Sequence, residues 1–126
     1  MGEQGEKCIL RGAVGVSNPF DFFALDKHLE SYMFGIYHRI LGNHMCRLLR
    51  EHIEAFRPIE KDLGYTIEEG LKKVRTSRDF DTYFTSYVCK YRTAFNYYRK
   101  ASSVLKIDDI RTPMLFLSAL DDPVIT

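Results

Sequence analysis

The sequence predicts an α/β fold in which two parallel core strands flank a mostly helical insertion. Three observations carry that expectation. Residues 8–16, "CILRGAVGV", are an apolar run with one charge, closed by "SNPFD". A second apolar run covers residues 114–119. Between them, residues 22–105 show the spacing of three and four that marks helices, without strand-like alternation. Strands so far apart in sequence pair in parallel through a crossover. About a dozen residues suffice for a crossover, so this one carries an inserted helical subdomain.

Each element has a local reason. Residues 8–16 favour a strand over a helix because Pro19 lies close and disfavours helical backbone before it. Asp21 can cap a helix that begins at Phe22 and runs through Leu25 and Leu29. Ile36, Ile40, Leu41, Met45, Leu48, Leu49, Ile53 and Phe56 form one apolar stripe of a long helix. Arg39, Arg47, Arg50 and Glu51 take its other face, and Pro58 ends it. "TIEE" from Thr66 to Glu69 is a capping box. Ser77 and Thr93 are further candidate caps for short helices. "IRTP" then breaks the helical pattern ahead of the second strand.

Composition narrows the function classes. Eighteen basic and seventeen acidic residues leave a net charge of +1, so no bulk field draws nucleic acid or anionic lipid to the chain. The basic–aromatic stretch "YVCKYRTAFNYYRK" could stack single-stranded bases. The spacing of Tyr91, Phe95 and Tyr98, however, is that of a helix face on a core. Three cysteines, Cys8, Cys46 and Cys89, without a CxxC pair read as free thiols of a reducing compartment. No apolar run is long enough to span a bilayer, and "MGEQGEKC" lacks the apolar centre of a signal peptide. His28, His38, His44 and His52 form no HExxH and no pair four apart, so neither a metal nor another cofactor is expected. His44 and His52 fall near the apolar stripe and are expected to be partly buried.

Two places could carry chemistry. "LSALDDPV" sets Asp121 and Asp122 just past the carboxyl end of the second strand, where open α/β sheets place ligand-facing groups. One of them could orient a catalytic histidine; as residue types alone, Asp-Asp-Pro is also ordinary turn chemistry. "GVSNP" resembles the start of a nucleophile elbow, but Pro19 stands where G-x-S-x-G needs a glycine. Ser17 is therefore read as a strand-end loop serine.

Taken together, "GAVGVSNPFDFF" and "YYRKASSVLKIDDIRTPMLFLSALDDPV" resemble the α/β-hydrolase superfamily, in its YheT-like, embryogenesis-associated abhydrolase branch. There a strand leads into an S-N-P-[FW]-D loop and a helical cap. A tyrosine-rich segment and a strand ending N/S-A-x-D-D-P follow. The resemblance runs from about Cys8 to Val124. It implies a partial α/β-hydrolase fold: core strand 8–16, helical cap and crossover 22–105, and core strand 114–119 ending at the acid of a Ser–Asp–His triad. The aspartate before proline, Asp122, is the implied acid, with Asp121 the weaker choice; Asp21 is implied to fix the loop. The implied activity is carboxylic-ester or lipid hydrolysis of acylglycerols or phospholipids. Phe34, Ile36, Tyr37 and Phe84 are candidates for an acyl pocket, with core packing the competing fate of each.

The departures are as informative. No G-x-S-x-G occurs, and none of the histidines lies after Asp122, as the family order requires. The expectation is a fragment of such a hydrolase, inactive alone, with the remainder of the domain as its partner. Animal members of the branch often carry an N-terminal membrane segment, which would put membrane association outside these residues. The alternative is a non-catalytic module that binds a lipid or a protein through its helices.

Overall fold

The computed structural model describes residues 1–125. Strands β1 (Ala13–Val16) and β2 (Met114–Leu117) pair in parallel, with Ala13 opposite Met114 and Val16 opposite Leu117. The helices lie between them in sequence: α1 (Phe22–Ser31), α2 (Ile36–Glu51), α3 (Ile53–Phe56), α4 (Glu60–Leu63), α5 (Ile67–Lys73), α6 (Ser77–Phe80), α7 (Ser86–Val88) and α8 (Ala94–Ala101). A wide π-helical turn, Asp81–Thr85, joins α6 to α7. Among the described residues, no helix is long and apolar enough to cross a membrane.

The paired strands are shorter than the apolar runs that announce them. Ala13 donates its N–H to the Pro113 carbonyl, but Pro113 has no N–H to return, so the ladder stops there. Upstream, Ile9 is 92% exposed and unpaired. At the other end Ser17 donates to the Leu117 carbonyl and then turns, with φ at 46°. Val14, Val16, Leu115 and Leu117 share one sheet face and are all exposed. On the opposite face Phe116 lies edge-on to Phe20 at 4.8 Å.

The hydrophobic core is in the helical insertion. Cys46, Leu49, Leu63, Ile67, Leu71, Val74 and Phe84 form one buried cluster to which neither strand contributes. The cap residues behave as the sequence requires. Asp21 accepts from the Phe23 and Ala24 N–H groups, Thr66 and Glu69 close their reciprocal box, and Thr93 accepts from Asn96. One cap shifts by a residue: Thr76, not Ser77, caps α6, with Asp79 reciprocating. Thr76 has the extended backbone that an N-cap needs, which leaves the Ser77 side chain free for another partner.

The stripe of α2 is rotated from its predicted position. His38, Gly42, Cys46 and Leu49 are buried, whereas Ile36, Ile40 and Leu48 are exposed. Gly42 explains the rotation. A Cβ there would lie 2.5 Å from the Thr76 carbonyl carbon, so the backbone entering α6 rests directly on this glycine. Rotation also leaves His44 and His52 exposed and buries His38 in their place.

Candidate functional site

Strand β2 delivers the two aspartates to the end of the sheet, beside the loop that leaves β1. Asp121 is exposed. Asp122 turns inward and grips its own loop: its Oδ1 accepts from the Val124 and Ile125 N–H groups, both at 2.9 Å. Those two donors, helped by the Ser17 hydroxyl, hold its carboxyl below the usual carboxylate range. Asp122 is therefore an ionised carboxylate in an organised loop, with a second oxygen that takes no backbone hydrogen bond among the described residues. Asp21 sits at the start of α1 as a cap.

The loop has a third neighbour. His28, on α1, reaches the Pro123 carbonyl with Nε2 at 3.2 Å and stacks on Tyr32 at 5.0 Å. Sequence reasoning missed His28, because nothing local links it to a residue so far down the chain.

A buried polar cluster joins α1, α2 and α6. Arg78 donates from Nε to both Asp26 oxygens, at 3.0 and 2.8 Å, and from its terminal nitrogens to Glu30. His38 shares a 2.7 Å hydrogen bond between Nδ1 and the Ser77 hydroxyl, and its Nε2 lies 3.5 Å from Asp26. Burial pushes the His38 pKa down, against the pull of Asp26. Ser77, His38 and Asp26 are the residue types of a triad. Arg78 already neutralises Asp26, though, so the cluster works as a clamp between helices. Nearby, the Tyr98 hydroxyl donates to buried Asp81 at 2.8 Å, and burial raises the carboxyl's pKa.

The acyl-pocket candidates separate. Phe84 is 0% exposed within the helical core, Tyr37 is half-buried against Tyr32, and Phe34 and Ile36 are exposed. Of the aromatic run near α8, Tyr98 is buried beside Phe22 and Phe23, whereas Phe95 stacks on Phe23 at 5.7 Å with both rings exposed. An open apolar pocket of about 340 Å³ lies between α2 and α7, lined by Met45, Leu48, Phe56, Phe80 and Val88 among others.

Two parallel strands carrying an inserted helical layer, with two aspartates past the end of the second strand, fit part of an α/β-hydrolase fold. The relatives the chain matches over nearly all of its length are abhydrolase-domain proteins, esterases and embryogenesis-associated proteins, consistent with a branch of that superfamily. The chain is 36% identical over 127 aligned residues to a monoacylglycerol lipase of Saccharomyces cerevisiae, covering 99% of this chain and 28% of that protein. It is 32% identical to an abhydrolase domain-containing protein of Dictyostelium discoideum, covering 98% of this chain and 30% of the relative. An embryogenesis-associated protein of Picea glauca is 30% identical, over 98% of this chain and 27% of its own length. The chain thus spans about a third or less of these relatives. No family model matches it, and no solved structure matches it.

Proposed function

We propose that this chain is the acid-bearing segment of a serine carboxylic-ester hydrolase that acts on acylglycerol or phospholipid esters. The nucleophilic serine and the histidine base are supplied by residues outside these 126, and the chain by itself is inactive. The observation that carries this is Asp122. It stands past β2, next to the loop that leaves β1, ionised, with Oδ1 held by two backbone N–H groups. A triad acid needs this arrangement. One oxygen fixes the carboxylate, and the other is left to accept an imidazole Nδ1–H. Support for the substrate class comes from the relatives, one of which is named a monoacylglycerol lipase.

In the intact hydrolase the serine attacks the ester carbonyl while the histidine takes its proton and later returns it to the leaving alcohol. Asp122 holds the imidazole tautomer and stabilises the imidazolium. The test is ester hydrolysis by a chain that also carries the serine and histidine segments, compared with its Asp122→Asn variant. The variant is expected to lose on the order of 10⁴-fold in kcat. Unchanged turnover in that variant removes Asp122 from the site.

The apolar pocket beside α2 favours a second reading, a module that binds a lipid chain without cleaving it. Its mark is fatty-acid binding by the 126-residue chain that is indifferent to Asp122→Asn.

A further inference from the structure

We propose that His28 is a positioning residue: it tethers the loop of Asp122 to the first cap helix, so that the cap sets where the acid points. The inference rests on the hydrolase reading of Asp122.

Consider first the helix that carries His28. Its N-terminus is capped by Asp21 and anchored by the Phe22 N–H, which donates to the Ser102 hydroxyl at 3.0 Å. Two residues before His28, Asp26 is bound through Arg78 to α6, and Leu29, the residue after His28, is buried. His28 therefore projects from a helix held at several points. The ring is held as well. It stacks on Tyr32, which packs against Tyr37 at 5.9 Å. Tyr32 is followed by Met33, Phe34 and Gly35 with φ of 46°, 58° and 72°.

Next consider the loop. The Pro123 carbonyl can only accept, so His28 Nε2 carries the proton of the 3.2 Å hydrogen bond. Pro123 adjoins Asp122, whose Oδ1 closes on Val124 and Ile125. Residues 122–125 therefore move together, and displacing Pro123 displaces the carboxylate. On the sheet side the Asp122 N–H meets the Ala119 carbonyl only at 3.4 Å, a weaker anchor.

The test uses the full-length hydrolase with two variants that separate the stack from the donor. His28→Phe keeps a ring for Tyr32 but has no donor. His28→Gln keeps an amide N–H near the position of Nε2 but loses the ring. Misplacing the acid by a fraction of an ångström is expected to lower kcat in His28→Phe by roughly tenfold to a hundredfold, with KM held within about twofold. The acid limb of its kcat/KM–pH profile moves to lower pH, because an imidazole without an aligned carboxylate is less basic. His28→Gln returns kcat to within about threefold of wild type. Amide exchange at Val124 and Ile125, which needs no turnover, is faster in His28→Phe. Wild-type kcat and an unmoved pH limb in His28→Phe overturn the tether, as do equal losses in both variants. Neither result touches Asp122. If Asp122→Asn is fully active, or wild type cleaves no ester, the hydrolase reading fails and takes the tether with it.

Discussion

His38 shows how burial sets the behaviour of a single residue. Its ring is enclosed by Ser77, Asp26, Arg78, Glu30 and Asp79, and burial favours the neutral form over the pull of Asp26. The folded state therefore resists protonation at pH values where the unfolded chain, with an ordinary imidazole near 6.5, accepts a proton. In that window the unfolded state binds more protons, so stability is full above about pH 6.5 and falls as the pH drops below it. His38→Asn cannot titrate there. The thermal midpoint of wild type should fall more between about pH 7.5 and about pH 5.5 than that of the variant. Parallel slopes would show that His38 is protonated in the fold. Beside it, the Arg78 guanidinium meets the buried Asp26 carboxylate through two nitrogens.

At the scale of elements, the contact between α2 and α6 depends on an atom that is not there. Gly42 presents no Cβ, and the Thr76–Ser77 backbone occupies that space. This approach brings Ser77 within reach of His38 and Arg78 within reach of Asp26. Gly42→Ala gains helix propensity on α2 but drives a methyl into backbone that cannot swing aside. A net destabilisation of about 2 kcal/mol is expected, visible in a denaturant midpoint. A neutral or stabilising result would mean that the two helices can part without losing the clamp. The caps of α1, α5 and α8 were legible because each is an exchange between residues two or three apart. The cap of α6 falls on Thr76, whose backbone is extended, and the Ser77 hydroxyl is left to meet a partner on α2, 39 residues away in sequence.

Over the whole molecule, the distribution of apolar surface is uneven. The helices enclose their own core, while the face of the sheet formed by Val14, Val16, Leu115 and Leu117 meets solvent. Parallel sheets are ordinarily covered on both faces, and a two-stranded one has both edges open to further pairing. The 126-residue chain expressed alone is expected to self-associate and to bind a hydrophobic dye. Val16→Lys with Leu117→Lys should reduce both effects. A monodisperse chain that binds no dye would show the face to be covered in solution. The same unevenness fits a chain that spans about a third or less of its relatives.

The sequence by itself determined the order of elements, the parallel pair, the helical insertion, most of the caps and the position of two aspartates past the second strand. These follow from period, from Pro and Gly placement and from exchanges within one turn, all of which are local. Only the tertiary structure decided which face of α2 is buried, that Asp122 and not Asp121 turns into the loop, and that His28 meets Pro123 across 95 residues of sequence. It also sorted Phe84 into the core and left Phe34 outside. Each of those depends on what a side chain meets from a distant segment. A glycine that admits a backbone, or an arginine that neutralises a buried aspartate, has no period and leaves no mark on its sequence neighbours.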